Sequence, residues 1–175
     1  MCVQALDGVA IHGNGEILEM STKVAFLSSQ QIAAPDIIRC YDWAAATRMR
    51  QDVCVMSGFQ STLEKDVLRY LLRGKVPIIL VLARSMWKKV PAELISPVEN
   101  GRVVIVAPIT SPRVSRETAK QRNLWILSHC SSLVLGSLNP NGMLASLLES
   151  FPQLEKLRLD EQAMKMTECV TIEQR

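Results

Sequence analysis

The sequence predicts an α/β fold, a three-layer α/β/α sandwich built on a mainly parallel sheet. Two observations carry that prediction. Five short segments are almost continuously apolar and rich in Val, Ile and Leu, as strands covered on both faces must be. Stretches with helical spacing lie between most of them, so strand and crossover alternate along the chain. With 175 residues, 48% of them hydrophobic and 21% charged, the chain can bury a core of its own. We expect one domain over residues 1–175, with 1–22 as an N-terminal extension and 150–175 as a tail packed on it.

The elements are expected in this order. Residues 23–28 (KVAFLS) form the first strand. A helix over 37–51 starts after Pro35-Asp36, since Pro suits a first turn and Asp a cap. The second strand, 52–57 (DVCVMS), runs through Ser57-Gly58 into a helix that places Leu63, Val67, Tyr70 and Leu71 on one face. Gly74 ends that helix as its C-cap. The third strand is 76–82 (VPIILVL), followed by a short helix around 91–97. The fourth is 102–107 (RVVIVA). A long helix over 115–130, opened by a Ser cap, leads to the fifth strand at 132–138 (SLVLGSL). In that long helix Ala119, Leu124 or Trp125, and Leu127 or Ser128 are expected to turn inward. At the N-terminus, Gly13-Asn14-Gly15 fits either a hairpin turn or a break before a short helix at 16–20. The tail reads as a charged helix over 153–166 and a last strand at 169–172.

Composition excludes several classes. No apolar run is long enough to span a bilayer, and no secretory signal is visible at the N-terminus. The five cysteines, Cys2, Cys40, Cys54, Cys130 and Cys169, form no C-x-x-C pair, which points to reduced thiols in the cytoplasm, without disulfides or zinc. The net charge is +3, yet from Lys65 to Arg122 twelve Lys and Arg face four Asp and Glu. Such a basic middle fits either a surface that meets anions or simply a wet Lys/Arg-rich face.

In parallel sheets ligands bind beyond the C-terminal ends of the strands, where strand order reverses. That rule sets residues 28–31, 57–62, 84–89 and 138–142 along one rim. The loop after the second strand is the first candidate. Gly58 allows close approach, Gln60, Ser61 and Thr62 add polar groups, and a helix N-terminus offers amides to an anion. The competing reading is that Gly58 serves a special dihedral and that Ser61 or Thr62 caps the helix. Neither a Walker A loop nor G-x-G-x-x-G is present. A second candidate is TSPRVSRETAKQRN, residues 110–123, whose Arg113, Arg116, Lys120 and Arg122 would either line a groove beside Asn123 or form a solvated helix face. The third is RSMWKK, residues 84–89: Arg84, Lys88 and Lys89 suit phosphates, and Trp87 suits a base or covers a core edge. Lys65, Arg69 and Arg73 recur every four residues as a basic stripe, the usual wet face of an amphipathic helix.

The catalytic inventory is thin. His12 and His129 lie far apart, and no G-x-S-x-G, H-E-x-x-H or paired-carboxylate motif occurs. Glu64 is the one carboxylate placed to face a ligand, and a favourable first-turn charge explains it better than acid–base work. We assign no catalytic residue, no metal and no cofactor.

The run KVAFLSSQ, DVCVMSGFQSTLEKDVLRYLLRG, PIILVLARS, RVVIVAP, QRNLWILSHCSSLVLGS and NGMLASL resembles the Rossmann-like domain of the DNA-processing protein A family (DprA, or Smf), from about Gly13 to Leu148. In that family the first strand ends in Gly-Ser-Arg and the second enters Ser-Gly-x-Ala-Arg-Gly-Ile-Asp. An Arg-Asn-Arg helix leads to the fifth strand, and a Ser-Gly-Ala loop follows. The resemblance implies bacterial origin, a role in DNA uptake, single-stranded DNA or a nucleotide as ligand, a homodimer and a recombinase partner. It puts Ser29, Ser57, Gly58, Arg122, Asn123, Asn141 and Gly142 at the binding rim, with Glu64 in place of the Asp. The departures are specific. Ser28-Ser29-Gln30 and Gln60-Ser61-Thr62 each lose an Arg, and Leu124 replaces the second Arg of Arg-Asn-Arg. The wider superfamily also holds phosphoribohydrolases marked by Pro-Gly-Gly-x-Gly-Thr-x-x-Glu. Residues 139–149 (NPNGMLASLLE) keep one Gly and a later Glu of that loop.

Overall fold

The computed structural model describes residues 4–6, 8–30, 33–157 and 159. Strands β1 (Gln4–Leu6) and β2 (Val9–Gly13) form an antiparallel hairpin, with Gly8 at φ +81° in its turn. A 3₁₀ helix (Gly15–Glu19) follows, capped by Asn14, whose Oδ1 accepts the Glu16 N–H at 3.1 Å. Gly13-Asn14-Gly15 is therefore the break before a short helix, and the hairpin turn lies earlier.

The alternating body then unfolds as β3 (Lys23–Leu27), α1 (Ala34–Thr47), β4 (Cys54–Ser57), α2 (Thr62–Leu72), β5 (Ile78–Val81), α3 (Ala92–Glu99) and β6 (Val103–Ala107). It closes with α4 (Arg116–His129), β7 (Ser132–Leu135), α5 (Met143–Leu148) and β8 (Glu155–Leu157). Pro35 sits in the first turn of α1, where its missing N–H costs nothing. Helix α2 ends at Leu72 with Arg73, not the expected Gly74, as its C-cap, and its last carbonyls are satisfied from outside: Arg102 donates to Leu71 O at 3.1 Å and Leu72 O at 2.7 Å.

Among the described residues all eight strands belong to one sheet, in the order β1-β2-β6-β5-β4-β3-β7-β8. Neighbours from β6 to β8 are parallel, and β2 joins β6 antiparallel. Along each central strand the pleat divides the side chains between two cores. Phe26, Val55, Ile78 and Ile105 pack under α1, α2 and α3, while Ala25, Met56, Ile79 and Val104 pack under α4, α5 and the 3₁₀ helix. Burial on both faces is why the strands read as unbroken apolar runs. The tail departs from expectation: where a helix was expected, residues 155–157 form β8 parallel to β7. The other residues of the expected tail helix, apart from 153, 154 and 159, lie outside the described residues, as does the expected strand at 169–172. None of the described helices is long and apolar enough to cross a membrane.

Candidate functional site

Chain order places the site. From β3 the chain steps outward through β4, β5 and β6, then α4 carries it back to β7 on the other flank of β3. The strand order therefore reverses at β3, and a crevice opens beyond its C-terminal end. The crevice has a volume of about 600 Å³. Its walls come from the loops after β3 (Ser28, Ser29, Gln30), β4 (Gln60, Ser61) and β7 (Asn139, Gly142), with Arg122 and Asn123 rising from α4.

The Ser57-Gly58 turn has an unexpected partner. A Cβ built on Gly58 would meet Arg122 Nη1 at 2.1 Å and Cζ at 2.4 Å, so the guanidinium lies directly against the glycine backbone. Gly58 is therefore required for close approach. The left-handed backbone falls one residue later, at Phe59 (φ +47°), a buried side chain in a region non-glycine residues seldom adopt. Of the two readings of Gly58, close approach is the one observed, and the special dihedral belongs to its neighbour.

Arg122 is only 5% exposed. Its Nε donates to Asn123 Oδ1 at 3.1 Å and its Nη1 to Gln60 Oε1 at 3.1 Å. Burial draws the guanidinium below its ordinary pKa, and the nearby Glu64 carboxylate pulls it back up. It stays a cation. Its Nη2 makes no hydrogen bond among the described residues, and the residue lines the crevice.

Glu64 decides what the backbone amides can do. Its Oε1 accepts the Ser28 N–H at 3.2 Å; its Oε2 accepts those of Gln60 at 2.9 Å and Ser61 at 3.2 Å. Ser61 Oγ accepts the Glu64 N–H at 3.2 Å, which completes a capping box. The Phe59 N–H goes to Ser57 Oγ at 3.2 Å. Amides that would cradle a phosphate thus already hold a carboxylate of the protein, which also ties the loop after β3 to the start of α2. Of the two readings of this loop, capping by Ser61 is the one observed.

The remaining candidates separate. Ser29 Oγ accepts the Asn139 N–H at 2.9 Å, joining the loops after β3 and β7. Asn139 Oδ1 in turn accepts the Asn141 N–H at 3.1 Å. Lys120 and Asn141 face an adjoining hollow shared with Arg116 and Gly142. Ser57 is fully buried, and Thr62 is exposed as the first residue of α2. Arg84 lies elsewhere, in a cleft across α2. Helix α4 does not present one basic face: Arg122 and Asn123 turn inward with Thr118, Ile126 and Leu127, whereas Arg116 and Lys120 stay exposed, as does Arg113 just before the helix. Gln31, expected on the rim, lies outside the described residues. Ser115, expected only as a helix cap, and Asn139, expected only as part of the 138–142 rim loop, both line the crevice.

No protein-family model and no curated protein matches the chain. Solved structures do. DNA processing protein A from Streptococcus pneumoniae superposes with a TM-score of 0.66 at 11% identity, over 91% of this chain and 60% of that one. DNA processing protein A from Helicobacter pylori, solved for its single-stranded DNA binding mode, gives 0.66 at 10% identity, over 91% and 86%. The fold is that of the DprA Rossmann-like domain. The chain spans 60% of the length of the pneumococcal DprA. A molybdenum cofactor binding protein from Rippkaea orientalis also superposes, with a TM-score of 0.52 at 10% identity over 85% of this chain and 83% of that one. Within the DprA-like fold the two most specific motif pairs, Ser57-Gly58 and Arg122-Asn123, come into direct contact through the guanidinium.

Proposed function

We propose that the protein binds single-stranded nucleic acid or a nucleotide in the switch-point crevice, holding a phosphate with side chains rather than with backbone amides. The observation that carries this reading is Arg122: a cation 95% withdrawn from solvent, braced by Gln60 and Asn123, with one nitrogen left for a ligand. Keeping a charge at that depth is costly unless an anion or a hydrogen-bond partner meets it. Arg116 at the mouth and Lys120 beside it add positive charge, and Ser29, Asn123 and Asn139 supply polar contacts.

Fluorescence anisotropy with a labelled oligothymidylate, in low and high salt, tests this. Binding should weaken as salt rises, and Arg122→Met should cost roughly tenfold or more at low salt. Unchanged affinity in Arg122→Met, with folding verified by circular dichroism, refutes the site. Dimerisation and recombinase contact, which the resemblance implies, are separate properties, tested by sedimentation and by pull-down with a purified recombinase. The cytoplasmic, reduced setting is likewise part of the proposal.

A further inference from the structure

A second cleft, of about 550 Å³, runs along the opposite side of α2. Lys65, Arg69 and Arg73, the stripe that usually marks a wet face, form one wall, and Arg84 and Trp87 from the segment after β5 form the other. Glu93 is the one carboxylate in its lining. The three stripe residues are exposed. Arg69 reaches Asp66 at 2.6 Å but remains 70% exposed, and Arg73 sits over the Tyr70 ring at 5.9 Å. Arg84 Nε is shielded from water and makes no hydrogen bond among the described residues. Trp87 packs partly on the core, and its position in the lining leaves part of the ring to the cleft.

Gln60 joins the two clefts. Gln60 lines both, its Oε1 held by Arg122 on the crevice side. We propose that the second cleft continues the nucleic-acid path, so that a single strand anchored in the crevice crosses the Gln60 ridge and lies between the α2 stripe and Trp87. The inference rests on the reading of the crevice and adds that the ligand is an oligonucleotide rather than a mononucleotide. Four cations spaced along a groove match a chain of phosphates, and an aromatic ring among them offers a base a stacking partner without sequence preference.

The test compares a dinucleotide, which fits the crevice alone, with an octanucleotide, on the wild type, Trp87→Ala and the double variant Arg69→Glu/Arg73→Glu. We expect the wild type to bind the octanucleotide roughly tenfold or more tightly than the dinucleotide. Trp87→Ala should weaken octanucleotide binding roughly 5- to 100-fold. The double variant should flatten its salt dependence by about one unit of slope or more. Dinucleotide affinity should stay at the wild-type level in both. The exposed arginines keep the test informative should Trp87→Ala unfold. A length advantage that survives the double variant overturns the second cleft. So does an acidic peptide of equal charge that competes as well as the octanucleotide. Loss of the length advantage alongside dinucleotide binding indifferent to Arg122→Met would uphold the second cleft and instead sink the crevice reading.

Discussion

The contact between Gly58 and Arg122 gives the sharpest prediction. In Gly58→Ala the new methyl would sit 2.1 Å from Nη1, 2.4 Å from Cζ and 2.7 Å from Nε. No small adjustment relieves three such contacts, so the guanidinium must leave the glycine surface. It then gives up its bonds to Gln60 and Asn123, each donated by a charged group and worth about 1.5–3 kcal/mol. Part of that returns as the side chain swings into the crevice and meets water. The net cost to folding should be about 2–4 kcal/mol. Backbone strain adds nothing, because the left-handed residue is Phe59 and not Gly58. The assay is a double-mutant cycle by urea denaturation, with Gly58→Ala made in wild type and in Arg122→Ala. Once the arginine is gone the methyl has room, so the second cost should fall to within about 0.5 kcal/mol of zero. Equal costs in the two backgrounds would refute the contact. Oligonucleotide binding should be lost in Gly58→Ala as well, since the displaced cation no longer faces the ligand.

Other consequences are more local. Glu64→Gln keeps the size of the side chain but removes the charge that holds the Ser28, Gln60 and Ser61 amides, so stability in urea should drop by about 2–4 kcal/mol. Ser61→Ala removes the α2 cap alone and should cost about 1 kcal/mol in the same assay. Burial pushes the Cys40 thiol up to about 12 and those of Cys54 and Cys130 to about 11, from an ordinary 9.0. Because the folded values are raised, the native state holds protons that the unfolded chain releases. Stability should therefore be complete below pH 9 and decline as pH rises through 11 to 12, read by thermal melts across that window. Mass-mapped alkylation of native protein at neutral pH should leave Cys40 and Cys54 unmodified, each being fully buried; rapid labelling of either would contradict the packing.

Much of the architecture was legible because it depends on local pattern. The runs at β3 to β7 are apolar on both faces, and the covering helices carry period-3.6 faces such as Leu63, Val67 and Leu71, so alternation and layering follow from the residues in order. Ser57-Gly58 and Arg122-Asn123 could likewise be marked as candidates from their neighbours along the chain. What those residues do there could not. Whether Gly58 cradles an anion or admits a side chain depends on a residue 64 positions away, brought in when α4 returns the chain from β6 to β7. Helical spacing alone set Arg122 among exposed cations, whereas packing against β3 and β4 turned it and Asn123 inward. Glu64 carried the signal of a first-turn charge, yet only the fold brought the Ser28 amide within reach and so consumed the loop's anion-binding capacity. The basic stripe on α2 and the Arg84–Trp87 segment read as separate features until β5 aligned them across one cleft. The sequence by itself determined the layers, because burial periodicity is a property of neighbours in the chain. Only the tertiary structure decided which charges meet, because that depends on where the strand order reverses.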